Sequence, residues 1–83
     1  MYLHLGQNTV VTTGEILGIF DLDTTTVSAR TRDFLKKAQQ AGKVVTVSQE
    51  LPKSFILCEN GTVYISQISA ATLLLRLEKQ RNP

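Results

Sequence analysis

The sequence predicts an α+β domain with a small, mostly antiparallel sheet and two helices, and three observations carry that prediction. The apolar residues come in short runs separated by Gly, Asn, Asp and Pro, as in an ordinary globular protein, and several of these runs read as strands between turns. Asn60-Gly61 lies between two such runs, the strongest short-range hairpin signal a sequence can give. Residues 27–41 and 70–79 instead carry apolar side chains at helical spacing, as helices packed against a sheet do.

Taken in order, Tyr2-Leu3-His4-Leu5 ends at Gly6 and the β-branched stretch Thr9 to Thr12 is closed by Gly14, so two short strands around a turn are expected. Ile16-Leu17-Gly18-Ile19-Phe20 is a dense apolar run that stops at Asp21-Leu22-Asp23, the pattern of a central strand covered on both faces. Thr24, Thr25 and Thr26 offer candidate N-caps, because a side-chain oxygen there can accept from an unpaired first-turn N–H. The helix they would start places Val27, Thr31, Phe34, Leu35, Ala38 and Ala41 in one arc, and Gly42 stops it.

Lys43 to Val47 reads as a strand and Ser48 to Pro52 as a loop, since proline interrupts a sheet ladder. Phe55 to Cys58 and Val63 to Ile65 flank Glu59-Asn60-Gly61-Thr62, where Asn-Gly suits the φ > 0 pair of a type I′ turn. Ser69 caps a final helix from about Ala70 to Lys79, whose basic end, Lys79 and Arg81, complements the helix dipole. On its wheel Leu73, Leu74 and Leu77 cluster, while Leu75 sits with Ala71 to one side. Two readings of that wide arc stay open: a helix wedged deep in the monomer core, or a second edge that is a subunit contact.

At 83 residues the chain is expected to form one domain, 1–83, with a modest core. The lone Cys58 cannot form an intramolecular disulfide, and no cluster of cysteine and histidine offers a zinc site, so a cytoplasmic setting is expected. No window reaches the roughly 18 apolar residues of a membrane span, and the N-terminus lacks the pattern of a signal peptide, so no membrane insertion is expected. A net charge of +2 permits a polyanionic partner without announcing one.

Few residues invite catalysis. Ile19-Phe20-Asp21-Leu22-Asp23-Thr24-Thr25 resembles the first motif of the haloacid dehalogenase phosphotransferases, in which the first Asp attacks phosphorus and the second serves as acid and base. That chemistry needs a magnesium ion held by further acidic ligands and a downstream Lys. After Asp33 the acidic residues are only Glu50, Glu59 and Glu78, with no acidic pair, and the parallel sheet of such enzymes does not fit in this length. The bland reading is that Asp21 and Asp23 end a strand and favour the next helix N-terminus. His4 has no partner at catalytic or ligand spacing, Gly14 and Gly18 form no phosphate-cradling loop, and Cys58 lies in an apolar run as a small buried hydrophobe. The chain is therefore expected not to be an enzyme, and to need no cofactor and no metal.

The basic residues are concentrated instead: Arg30, Arg32, Lys36 and Lys37 on the first helix, Lys43 after it and Lys53 on the middle loop make six of the nine. On the wheel Lys36 and Arg32 lie about 40° apart, and Arg30 and Lys37 about 20° apart on the other flank of the apolar stripe. Such flanks are ordinarily solvated, yet they can grip phosphates, and repetition by symmetry would sum the contacts.

Tyr2-Leu3-His4-Leu5-Gly6, Ile16-Leu17-Gly18-Ile19-Phe20-Asp21, and Pro52-Lys53-Ser54 before an apolar strand and an Asn-Gly hairpin together resemble the RemB branch of the RemA/RemB family across nearly the whole chain. These are small bacterial regulators of extracellular-matrix and biofilm genes. The resemblance implies a LytTR-like fold, assembly into rings and DNA binding, the properties of the RemA branch. Where that branch carries clustered arginines before its penultimate strand, this chain has Ser48 to Ser54 with Lys53 as the only cation, and Glu15 falls where that branch has an arginine. The expectation is thus a homo-oligomeric, ring-like regulator that binds double-stranded DNA through Arg30, Arg32, Lys36, Lys37, Lys43 and Lys53. Tyr2, His4, Ala71 and Leu75 are its expected subunit contacts. The alternative is a protein-interaction module that acts on other regulatory proteins without touching DNA.

Overall fold

The computed structural model describes residues 1–22 and 28–81. In chain order the elements are β1 (Tyr2–Gly6), β2 (Thr9–Thr12), a 3-10 turn (Thr13–Glu15), β3 (Ile16–Asp21), α1 (Ala29–Gln40), β4 (Val44–Thr46), β5 (Ser54–Cys58), β6 (Val63–Ser66) and α2 (Ala70–Arg81). The α+β class is as expected, but the strands form two sheets: a β1-β2 hairpin, and a four-stranded sheet in the order β3-β5-β6-β4. Among the described residues only the β4–β6 pair is parallel.

In the hairpin Leu3 pairs with Val11 and His4 with Val10. Alternation then buries Leu3, Leu5 and Val11 and leaves Tyr2, His4, Val10 and Thr12 exposed. The buried face joins Val47, Ile56, Cys58 and Leu73 in the core, so the hairpin and α2 cover one face of the larger sheet. Two buried serines, cross-strand neighbours on β5 and β6, fasten these layers. The Ser54 hydroxyl donates to the Ile68 carbonyl at 2.7 Å. That of Ser66 donates to Leu5 at 2.6 Å and accepts from the Ile68 N–H at 3.0 Å.

β3 is not the doubly covered central strand its apolar density suggests. It lies at the sheet edge, and its register slips between Ile16 and Gly18, leaving Leu17 outside the pairing and 62% exposed. Ile19 faces the core, but Phe20 points to the opposite face and is also exposed. That opposite face is α1's, and α1 covers it thinly. Thr31, Leu35 and Ala38 of the expected stripe are half-buried, Phe34 is exposed, and no residue of the helix is buried.

α1 begins at Ala29 with Ser28 as N-cap, its hydroxyl accepting from the Thr31 N–H at 3.1 Å. The proposed caps Thr24, Thr25 and Thr26, along with Val27 and Asp23, lie outside the described residues. The C-terminus ends as expected at Gly42, whose φ is +72°. Gly42 N–H donates to Gln39 and Lys43 N–H to Ala38, the paired bonds of a Schellman motif.

The Asn60-Gly61 hairpin forms, but with a different turn. Gly61 has a φ of +84° and Asn60 does not have a positive φ. Gly61 N–H donates to the Cys58 carbonyl and Cys58 N–H to that of Thr62. This is a three-residue loop, a type I turn followed by a left-handed glycine, rather than type I′. The Asn60 side chain accepts from the Thr62 N–H at 3.0 Å, which holds Asn60 in place without a positive φ. α2 starts after Ser69, whose hydroxyl accepts from the Thr72 N–H at 3.2 Å, and runs two residues beyond the expected end. Of its leucines Leu73 is buried and Leu77 half-buried, while Leu74 and Leu75 are exposed. A helix lying on the core by one edge, not wedged within it, accounts for this pattern.

Candidate nucleic-acid interface

The basic side chains sit on the element that the core holds least. Arg30, Arg32, Lys36 and Lys37 of α1 and Lys43 beyond it are all exposed. Residues 28–43 hold those five cations and one anion, Asp33, whereas the rest of the chain holds four cations and six anions. The segment is therefore +4 and the remainder −2, so the modest net charge hides a pronounced asymmetry. Lys37 bonds Asp33 one turn earlier at 3.1 Å. Both are largely exposed, so this pair is weakly held and a phosphate can compete for the lysine. The Lys43 ammonium donates to the Asn60 carbonyl at 3.4 Å, which draws it over the β5–β6 turn.

Lys53 is exposed too but stands apart. The N–H of Val63, at the start of β6, donates to Lys43, while the carbonyl of Ser66, at its end, accepts from Lys53. The two lysines thus flank opposite ends and opposite sides of one strand. Five of the six expected contacts follow one another along α1 and its exit; the sixth belongs to the far end of the sheet.

Tyr2 and His4 lie on the outward face of the hairpin, and Ala71 and Leu75 one turn apart on α2, all exposed. α2 also closes the outer edge of β1: Arg76 Nη1 donates to the His4 carbonyl at 3.2 Å and Gln80 Nε2 to that of Tyr2 at 2.7 Å. Those carbonyls point away from β2, so the side chains cover an edge that would otherwise be open to pairing. Sequence periodicity missed Val10, Leu17, Leu51 and Leu74, which are more than half exposed. Their only signal is apolar character, and that reads as core wherever a monomer is assumed.

Among the described residues no catalytic constellation accompanies these surfaces. The His4 ring nitrogen Nε2 bonds the Gln7 carbonyl at 2.7 Å rather than a carboxylate or nucleophile. Cys58 is buried, and burial, assisted by the Glu15 carboxylate, pushes its thiol pKa up, away from reactivity. Asp21 ends β3 on the surface, and its companion in the phosphotransferase-like motif, Asp23, is outside the described residues. Among the described residues no three His, Cys, Asp or Glu side chains gather as a metal site, and no helix is long and apolar enough to cross a membrane.

Comparison with known proteins gives two results. A family model described as RemA-like, extracellular matrix regulatory protein A-like, matches residues 2–77. The chain is also 40% identical over 78 residues to extracellular matrix regulatory protein B of Bacillus subtilis (strain 168), an alignment covering 94% of this chain and 91% of that one.

Proposed function

Because the chain belongs to the RemA-like family of extracellular matrix regulatory proteins, we propose that it regulates extracellular-matrix and biofilm genes in the cytoplasm as a homo-oligomer that binds double-stranded DNA. The observation that carries this reading is the charge partition. A +4 segment exposed along α1 and its exit, on a body of −2, orients a polyanion toward one side of the molecule. A single copy supplies few phosphate contacts. A closed ring would repeat the basic row, so that contacts sum along a duplex. Arg30, Arg32, Lys36, Lys37 and Lys43 form the main grip, and Lys53 extends it only if a neighbouring copy brings its β6 end alongside.

The exposed leucines of α2 favour a second reading, a module that docks on other regulatory proteins without contacting DNA. Fluorescence anisotropy of a labelled duplex, titrated at several salt concentrations, separates the two. DNA binding predicts a log-log salt slope of several phosphates, lost on Arg32→Glu with Lys36→Glu at unchanged particle size. Absence of binding at low salt selects the docking module.

A further inference from the structure

The thin cover that α1 gives the sheet leaves a groove. By strand register Phe20, Phe55 and Leu57 share the face turned toward α1, and the Phe20 and Phe55 rings stack with centroids 4.8 Å apart. Gly18 permits this arrangement, since a Cβ there would stand 2.7 Å from Phe20 ring carbons. Between that stack and α1 runs a cleft of about 280 Å³ lined by Phe20, Arg30, Thr31, Phe34, Phe55 and Leu57. Its surface is apolar apart from a guanidinium and a hydroxyl contributed by α1. The acidic residue on α1, Asp33, pairs with Lys37, and among the described residues no carboxylate forms an ion pair with Arg30.

We propose that this groove binds a small carboxylate with an aromatic or branched apolar tail. The tail would lie on the Phe20–Phe55 stack beneath Phe34, and Arg30 would take the carboxylate as a fork. A nucleic-acid phosphate would leave the phenyl rings unused, and a neutral hydrocarbon would leave the arginine unused; an amphipathic anion satisfies both. The volume lies just below the range of drug-sized ligand pockets, roughly 300–1,000 Å³, which suits a small ligand. Occupancy would fix α1 on the sheet and withdraw Arg30 from the basic row, so ligand and duplex would oppose one another. That coupling rests on the DNA-binding reading; the pocket itself does not.

The test is an NMR titration of the intact, isotope-labelled protein with sodium 2-naphthoate in the absence of DNA, so its failure is separate from any failure to bind duplex. The expected result is saturable shifts confined to α1 and to residues around 18–20 and 55–57. Arg30→Gln, an exposed site that leaves the fold intact, should weaken naphthoate about tenfold, the scale of one charged hydrogen bond. Neutral 2-naphthalenemethanol should bind wild type as weakly as naphthoate binds that variant, and Phe34→Ala should weaken both compounds. Shifts elsewhere, non-saturable shifts, or equal affinity in Arg30→Gln overturn the proposal. So does a groove filled by a second copy, seen as these residues responding to protein concentration alone while naphthoate leaves them unmoved.

Discussion

The Ser66 hydroxyl donates to the Leu5 carbonyl at 2.6 Å, a buried bond between residues 61 apart in sequence that ties the hairpin to the four-stranded sheet. The same oxygen accepts from the Ile68 N–H. Ser66→Ala therefore strands a buried acceptor and a part-buried donor. The expected loss is about 1–3 kcal/mol, visible in urea unfolding as a lower midpoint at unchanged slope. The control is Ser48→Ala, whose hydroxyl accepts from the Glu50 N–H in an exposed loop and should change stability by no more than about 0.5 kcal/mol.

Two glycines should respond oppositely to alanine. Gly6 holds a φ of +119°, and a Cβ there would stand 2.7 Å from the Gln67 side-chain amide. Backbone strain and displacement of Gln67 act together, so Gly6→Ala should lower the melting temperature clearly, by about 1–3 kcal/mol in stability. Gly14 has open space around its Cβ position and an ordinary φ. Gly14→Ala should be neutral or slightly stabilising, because alanine narrows the unfolded ensemble. Equal losses at both sites would contradict the turn geometry.

Sequence legibility followed the range of the interactions. Ser69 and Gly42 were readable because a cap or a left-handed C-terminus is decided within a few residues. Asn60-Gly61 was located correctly, yet its turn type was not, because the Asn60 side chain bonds forward to Thr62 and leaves only Gly61 with a positive φ. Ile16–Phe20 was misplaced for a different reason. Apolar density reports preference for burial, not which edge of a sheet a strand takes, and here one face of β3 looks onto a groove. The basic site divides in the same way: the solvated flanks of α1 were legible from its wheel, but the separation of Lys53 from Lys43 depends on strand order.

Cys58 links stability to alkaline pH. Burial, then the Glu15 carboxylate, raises its pKa in the folded protein, so the neutral thiol's contribution is fully present below the ordinary thiol value of 9.0 and is lost as pH rises through the folded value. Wild type should lose more stability than Cys58→Ala between about pH 8 and pH 10.5, a comparison that cancels tyrosine and lysine titration. A thiol reagent near pH 8 should react slowly with the native protein and quickly in urea. Fast reaction with the folded chain would mean that the β5 face opens readily.

Leu73 and Leu75, two residues apart on α2, have opposite environments: the first is fully buried and the second is 57% exposed. Leu73→Ala should cost about 2–5 kcal/mol through lost contact and cavity formation. Leu75→Asp should leave unfolding within about 0.5 kcal/mol of wild type, as exposed substitutions do. If Ala71 and Leu75 form a subunit contact, the same substitution buries a carboxylate in an apolar interface and disrupts assembly. Light scattering coupled to size exclusion would then show folded particles of lower mass, with duplex affinity falling in step as the basic rows cease to act together. Unchanged mass in Leu75→Asp would move the contact elsewhere, with the outward hairpin residues Tyr2 and Val10 the next to be charged. Unfolding in Leu75→Asp would instead place that side chain in the core, against its exposure on α2.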